Sequence, residues 1–298
     1  MPADLILGSR PRSADHSAAP VAKQPDEWVV TFRSAGTLSP LFCICSSGGD
    51  VFDFGDLAQI LSMDQPVYGF GVPPLEAVGD RFPSVQQLAA IYAAKMRALQ
   101  PHGPYQLCGH SFGGVVAFEM AALLAKAGEP IGLVALIDTL HPAFRVNMST
   151  AQRLSFRSAW FANRIAKYLR NLRYGKVDRV IGDALHFILD RCKHAFWKVA
   201  HLVFGRSGGP LPQAINIDEM VLVSAWHRYQ PSMYGGRLVL LKAAERAPEY
   251  GRDPTLGWGQ YVSGGIDIHV VPGNHLSIMH LPDLLTLAER IVPYLARR

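Results

Sequence analysis

The stretch Gly109-His110-Ser111-Phe112-Gly113 decides the fold that we predict for this chain. An apolar run, residues 105–108, comes before it, and a run of small and apolar residues, 115–127, follows with helical character. Glycines around a serine permit a turn tight enough to project the hydroxyl out of the backbone, and the following helix directs its positive N-terminal end at the same point. The pattern predicts a strand, a sharp turn and a helix, with Ser111 as candidate nucleophile.

The flanking sequence is needed because G-x-S-x-G alone arises by chance in about one chain in ten of this length. Short apolar runs bounded by turn residues predict strands at residues 29–32, 41–45, 67–70, 105–108, 133–137, 237–242 and 266–271. Helical periodicity predicts helices through residues 57–60, from Ser84 to about residue 100, at 115–127 and at 284–295. Ser84 and Gln87 have the spacing of a capping box, and Gly128 is a plausible C-terminal cap.

This alternation predicts an α/β fold with a mostly parallel central sheet and helices on both faces. Ligand sites in such sheets lie at the carboxyl ends of the strands, where Ser111, Asp138 and the turn at Ser46-Ser47 all fall. Residues 1–27 are expected to form a flexible N-terminal segment, and residues 28–298 one domain. Because the alternation stops after His141, we predict a helical lid inserted at about residues 141–220.

Composition narrows the function classes. The 298 residues are 49% hydrophobic and carry a formal charge of +5, with no uninterrupted apolar stretch long enough to span a membrane. The N-terminus has no export signal, so we expect a cytoplasmic protein. The four cysteines lack the spacing of a zinc site and are expected to be buried, reduced thiols, so no metal is predicted.

A serine hydroxyl needs a neighbouring imidazole to accept its proton, and the imidazole needs a carboxylate to hold its tautomer. Of the eleven histidines, His275 lies in a glycine-containing loop after the last strand, which is where a base would return to Ser111. His269, His280 and His227 are weaker candidates. Asp138 ends the strand after the elbow helix and is the preferred acid.

The alternative acids Glu245, Glu249 and Asp253 follow the next strand. His110 fills the variable position of the motif and is expected to orient the turn. Stabilising a tetrahedral oxyanion takes backbone N–H donors, one from the residue after the nucleophile and one from the loop after an earlier strand. These would be Phe112 and Ser47.

Several segments together resemble the thioesterase domains that terminate non-ribosomal peptide and polyketide synthases, which have the α/β-hydrolase fold. The segments are residues 42–49, 109–119, 136–139, 229–237 and 257–258, and Gly273-Asn274-His275. In that family the acid follows the strand after the elbow helix, which supports Asp138. The resemblance implies that Ser111 takes a peptidyl, polyketidyl or other acyl chain from the phosphopantetheine thiol of a carrier protein. Hydrolysis or cyclisation would then release the chain, with no cofactor of the enzyme's own.

The predicted lid is basic, since between residues 144 and 206 lysine and arginine outnumber Asp178, Asp183 and Asp190. Carrier proteins are usually acidic, so this charge would speed their encounter with the lid, although a solvated helical face explains it equally well. Nucleic acid is a weaker interpretation because the lid has no recognisable binding motif. Two rival functions stay open: a carboxylesterase or lipase acting on free esters, and a non-catalytic binding module.

Overall fold

The computed structural model describes residues 28–48, 51–73, 83–142, 218–246 and 253–295, and the single residues 144, 158, 165 and 192. Residues 1–27, and nearly all of the predicted lid at 141–220, lie outside the described residues. The predictions of a flexible N-terminal segment and of a basic helical lid therefore stay predictions.

Seven strands of the described chain form one sheet in the order β1-β3-β2-β4-β5-β6-β7. Their bounds are β1 Val29–Arg33, β2 Leu41–Ile44, β3 Val67–Phe70, β4 Tyr105–His110, β5 Ile131–Ile137, β6 Leu238–Ala243 and β7 Ile266–Val271. β1 runs antiparallel to β3, and every other neighbouring pair is parallel. The carboxyl ends of the parallel strands therefore meet at one edge of the sheet, as the predicted α/β architecture requires.

Helices cover both faces of this sheet. Their bounds are α1 Gly55–Ile60, α2 Val85–Leu99, α3 Phe112–Lys126, α4 Asp218–Arg228 and α5 Asp283–Leu295, with short 3-10 helices at Phe52–Phe54 and Ser277–Met279. Strand side chains alternate between the two layers: in β2, Phe42 packs with α2, α3 and α4, whereas Leu41 packs with α1 and α5. This arrangement confirms the predicted mostly parallel sheet with helices on both faces.

The start of α2 agrees closely with the sequence pattern. Ser84 Oγ accepts a hydrogen bond from the Gln87 N–H at 3.1 Å, and Gln87 Oε1 accepts one from the Ser84 N–H at 2.7 Å. This reciprocal pair is the predicted capping box. Gly128 has φ +79° immediately after the C-cap of α3, which is a conformation that glycine adopts without a steric penalty.

Helix α4 is the element that the sequence analysis missed. It is tied to the elbow helix by the Tyr229 hydroxyl, which donates a hydrogen bond to the buried Glu119 carboxylate at 2.6 Å. Burial raises the pKa of Glu119, and the hydrogen bond from Tyr229 partly opposes that rise. Trp226 Nε1 donates to the Leu140 carbonyl at 3.4 Å, so α4 is also joined to the loop after β5.

The cysteines are all free. Cys43 and Cys108 lie in β2 and β4 as predicted, whereas Cys45 follows β2 rather than lying within it. These three side chains are buried, but Cys192, which we expected to be buried, is exposed.

Candidate active site

Ser111 occupies a strained turn between β4 and α3. Its φ of 55° and ψ of −119° lie in a region that non-glycine residues rarely adopt. The turn is held because the Ser111 N–H donates to the Ile137 carbonyl at 3.0 Å and the Gly114 N–H donates to the Ser111 carbonyl at 3.2 Å. The Ser111 side chain makes no capping hydrogen bond to α3, so its hydroxyl is left to interact elsewhere.

The glycines of the elbow, residues 109–113, are required by close backbone packing. A Cβ on Gly113 would overlap the carbonyl oxygens of Ile44 and Cys45 at the end of β2. A Cβ on Gly109 would overlap the backbone of Gly113 itself. Only glycine allows the backbone to approach this closely. The sequence pattern predicted glycines here for a tight turn, and the structure adds their packing against the end of β2.

Ser111, His275 and Asp138 form a continuous chain of hydrogen bonds. His275 Nε2 lies 3.1 Å from Ser111 Oγ, and His275 Nδ1 lies 2.7 Å from Asp138 Oδ2. A carboxylate accepts only, so Nδ1 carries the hydrogen and Nε2 is left to accept from the serine hydroxyl. This arrangement can move the hydroxyl proton to the imidazole while the oxygen attacks a carbonyl carbon.

Asp138 is fixed at the end of β5 by several donors. It is 1% exposed, and its Oδ1 accepts hydrogen bonds from the Ala243 N–H and from Arg246 Nε, each at 2.8 Å. Arg246 Nη2 makes a second close contact with the same oxygen. Burial alone raises the pKa of Asp138, but the hydrogen bonds from His275, Arg246 and Ala243 and the arginine charge outweigh it and lower this pKa to about 2. Asp138 is therefore an anion at neutral pH.

Trp258 fixes the loop that follows this acid. Its Nε1 donates to the Thr139 carbonyl at 2.9 Å, and its indole is fully buried. Its segment, Gly257-Trp258, is one of those that carried the family resemblance. The structure thus gives Trp258 a role in supporting the turn next to Asp138.

Arg246 is the member of the site that the sequence analysis missed. It follows β6, whose carboxyl end lies beside that of β5. Its signal in the sequence was only a cation close behind a predicted strand, and such cations are common. Its contact with Asp138 depends on strand order, which the chain does not reveal locally.

The alternative acids lie elsewhere. Glu245 has an exposed side chain, and its backbone N–H donates to the Gly273 carbonyl at 2.8 Å. Asp253 accepts from Thr255 and from the Gly257 N–H, which places it in a separate turn. Glu249 lies outside the described residues. Asp138 is the carboxylate that the structure brings to His275.

The alternative histidines also have other surroundings. His269 Nε2 lies 2.8 Å from the Tyr294 hydroxyl, and His280 is an exposed residue after the second 3-10 helix. His227 is exposed on α4, with its ring 4.8 Å from that of Trp226. His275 is the histidine that the structure brings to Ser111.

A cavity of about 800 Å³ opens at this edge of the sheet. Its walls include the apolar side chains Leu140, Val223, Trp226 and Leu276. Both predicted oxyanion donors, Ser47 and Phe112, also line it. Phe112 is the first residue of α3, so its N–H has no acceptor within the helix.

The described part of the chain contains no cluster of three or more His, Cys, Asp or Glu side chains that could hold a metal ion. Among the same residues, no helix is both long enough and apolar enough to span a membrane.

A parallel sheet, a strained serine elbow and a Ser-His-Asp arrangement at the strand ends define the α/β-hydrolase class. The family model for the thioesterase domain matches residues 39–292, and the chain belongs to this family. The chain is 31% identical to malpibaldin synthetase of Mortierella alpina over 279 residues, which are 91% of this chain and 4% of the synthetase. The chain therefore spans only a small part of that relative.

Solved structures share the fold. The four-domain nonribosomal peptide synthetase holo-AB3403, bound to AMP and glycine, aligns with 91% of this chain over 20% of its own length. The sequence identity is 24% and the TM-score is 0.62. The NocB thioesterase domain, in a covalent complex with a fluorophosphonate nocardicin G analogue, matches 91% of this chain with all of its own. Its identity is 21% and its TM-score 0.58.

Proposed function

We propose that this chain is a serine thioesterase that releases an acyl chain, peptidyl or polyketidyl, from a phosphopantetheinyl carrier protein through an acyl-Ser111 intermediate. The observation that carries the proposal is the hydrogen-bond chain from Ser111 Oγ through His275 to Asp138, with distances of 3.1 Å and 2.7 Å. Membership of the thioesterase-domain family supports a thioester as the bond that is cleaved.

In the acylation step, Ser111 Oγ attacks the thioester carbonyl carbon and its proton passes to His275 Nε2. The C–S bond then breaks, and the imidazolium returns the proton to the leaving thiolate. Asp138 holds the imidazole in the tautomer that can accept this proton and stabilises the cation that forms. A thiolate leaves more readily than an amide nitrogen, so acylation is an undemanding step for this site.

In the second step, water or a nucleophile within the acyl chain attacks the Ser111 ester. His275 takes the proton of the attacking group and passes it to Ser111 Oγ as the C–O bond breaks. Water gives a free acid by hydrolysis, whereas an internal hydroxyl or amine gives a cyclic product. Both outcomes regenerate the enzyme.

The negative charge that develops on the carbonyl oxygen would be stabilised by the backbone N–H groups of Phe112 and Ser47. Loss of one such donor typically costs about 3 kcal/mol of transition-state stabilisation. Because the donors are backbone amides, Ser47→Ala should leave kcat/KM within about threefold of wild type. A loss of a hundredfold in Ser47→Ala would instead assign a role to its side chain.

A carrier domain is the proposed partner. Two of the proteins that this chain resembles are synthetases, and one of them is a nonribosomal peptide synthetase. The substrate would arrive on the phosphopantetheine arm of that carrier, and the proposed chemistry needs no other cofactor. The basic charge at residues 144–206 favours an acidic carrier.

The test compares an acyl-pantetheine thioester with the oxygen ester of the same acyl group. We expect faster turnover of the thioester, and intact-mass detection of an acyl adduct that is absent from Ser111→Ala. Equal or faster turnover of the oxygen ester, with no dependence on a carrier protein, would favour the esterase alternative. Failure of a serine-directed fluorophosphonate to label Ser111 would leave only the non-catalytic binding module.

A further inference from the structure

His110, the residue before the candidate nucleophile, is hydrogen-bonded to the main chain of the candidate base. Its side chain is buried, with 5% of the residue exposed, and its Nε2 lies 3.0 Å from the carbonyl oxygen of His275. The two imidazole rings are 4.9 Å apart, at an angle of 34°. The bond joins residues that are 165 positions apart in the sequence.

The acceptor identifies the tautomer of His110. A carbonyl oxygen accepts only, so Nε2 must carry the hydrogen. In the neutral ring Nδ1 then has no hydrogen and carries a lone pair. Within the described residues, this buried Nδ1 has no hydrogen-bond partner. Burial lowers the pKa of His110, and the charge that His275 carries when it is protonated lowers it further, to about 4. His110 is therefore a neutral N–H donor at the pH at which an imidazole base works.

His275 is attached to the elbow at two points. Its ring faces Ser111 at 3.1 Å, and its carbonyl is bonded to His110, the adjacent residue of the same turn. The loop around it is exposed: the side chain of His275 is 47% exposed, and Leu276 is 71% exposed. Loop packing alone therefore holds His275 weakly, and the bond to His110 fixes its backbone directly against the elbow.

We propose that His110 is a positioning residue whose Nε2–H holds the His275 backbone, and so sets the distance between the imidazole and Ser111. This inference rests on the proposed function and deepens it, because it gives His110 a role in positioning the base in addition to shaping the turn. Loss of the donor should slow the steps that need Ser111 activation while leaving acyl-group binding intact. The effect should fall on kcat and spare KM.

The test uses a matched pair of variants, His110→Gln and His110→Met. Both replacements are unbranched and of similar length and both lose the ring, but glutamine keeps an N–H donor near the position of Nε2 whereas methionine has none. Displacement of a reacting group by about 1 Å costs roughly 100-fold in rate, so we expect kcat of His110→Met to fall by about that factor. His110→Gln should stay within about threefold of wild type, and KM should change little in either variant.

Two readouts separate this inference from the proposed function. Thioester turnover by the wild-type chain tests the function itself, whereas the rate of fluorophosphonate labelling of Ser111 needs only an activated serine. If wild type labels but does not turn over thioesters, the substrate assignment fails and the labelling rates still test His110. Equal labelling rates for wild type and His110→Met, or equal losses in both variants, would overturn the positioning role.

A measurement on the unaltered protein covers the case in which a variant does not fold. Nitrogen-15 NMR of the imidazoles at pH 7 should show His110 neutral, with its hydrogen on Nε2 and slow to exchange with solvent. A hydrogen on Nδ1 would overturn the proposal, because the bond to the His275 carbonyl could not then exist.

Discussion

The elbow, residues 109–113, and the base loop, residues 271–276, supply the nucleophile and the base in contrasting ways. In the elbow, Gly109 and Gly113 are packed against backbone atoms, and α3 behind them is buried. The base loop is mostly exposed, and separate hydrogen bonds hold it. The Glu245 N–H donates to the Gly273 carbonyl, the His275 ring donates to Asp138, and the His110 ring donates to the His275 carbonyl.

The difference shows that two kinds of interaction, backbone packing and hydrogen bonding, position the residues of one site. Packing positions Ser111, because the backbone around Gly109 and Gly113 leaves no room for a Cβ at either position. Hydrogen bonds position His275, whose own side chain is 47% exposed. Substitutions of the elbow glycines Gly109 and Gly113 should therefore act mainly on folding, whereas substitutions around the base loop should act mainly on rate.

The largest expected effect comes from removing the nucleophile of the elbow or the base of the base loop. Ser111→Ala and His275→Ala should each lower kcat/KM by about 10⁴-fold, and the double variant should be no worse than either, because the two side chains act as a unit. Steady-state turnover of an acyl-pantetheine thioester measures this. Additive losses in the double variant would mean that the two residues act independently.

The acid can be tested in the same assay. Asp138→Asn should also be severe, since it alters the tautomer of His275, while Glu245→Gln should be mild. The reverse result would move the acid to the turn after β6.

The next effect concerns the elbow alone. Gly113→Ala should cost about 3 kcal/mol of unfolding free energy, because its Cβ would overlap the carbonyls of Ile44 and Cys45 and the backbone would have to move. Gly235→Ala is the matched control, since a Cβ there would meet nothing within 4 Å. Urea denaturation of both variants measures the difference, and equal losses would contradict the packing argument.

A smaller effect concerns the bond between the two regions and depends on pH. The pKa of His110 is lowered from its ordinary value of 6.5 to about 4 in the folded protein. Between pH 6.5 and pH 4 the unfolded chain therefore binds a proton at His110 more readily than the folded protein does. The contribution of neutral His110 to stability should be fully present above pH 6.5. The free energy of unfolding should then fall as the pH drops from 6.5 to about 4. Between pH 7 and 4.5, wild type should lose about 2 kcal/mol more than His110→Gln. Urea denaturation at both pH values measures this, and parallel losses would refute it.

The smallest expected effect comes from removing Arg246, which follows β6 and contacts Asp138. Arg246 helps to lower the pKa of Asp138 to about 2, so Arg246→Gln should raise that pKa, and between pH 7 and pH 3 the variant should lose about 1 kcal/mol less unfolding free energy than wild type. Urea denaturation at both pH values measures this. Arg237→Gln is the control, because the Arg237 side chain is 60% exposed and pairs with Asp267 at 3.4 Å. Equal losses in Arg246→Gln and wild type would show that Arg246 only packs against Asp138.

Local signals predicted most of the described fold. The bounds of β3 and β7 agree with the predicted strands, and the Ser84–Gln87 capping box is present. Predicted ends were less accurate where the chain turns tightly: β4 runs on to His110, and α3 begins at Phe112 rather than at residue 115. The glycines there are poor helix formers in isolation, and tertiary packing holds them in the helix.

Other features depended on distant parts of the chain. β1 runs antiparallel to β3, a pairing that no local signal predicted. The contact of Arg246 with Asp138 follows from strand order, because β6 lies beside β5. Helix α4 was missed because the alternation had already been interrupted by the predicted lid. It shares a hydrophobic core with α3, and the Tyr229–Glu119 bond joins the two regions across 110 positions of sequence.

The sequence by itself determined most of the described elements, the elbow and the choice of Ser111, Asp138 and His275 as candidates, because these depend on short-range periodicity, on glycine sterics and on family motifs. Only the tertiary structure decided what surrounds them: Arg246 and Ala243 on Asp138, and His110 on the backbone of His275. Such contacts are made where strand ends converge. Convergence is a property of sheet order, and no local stretch of this chain encodes that order.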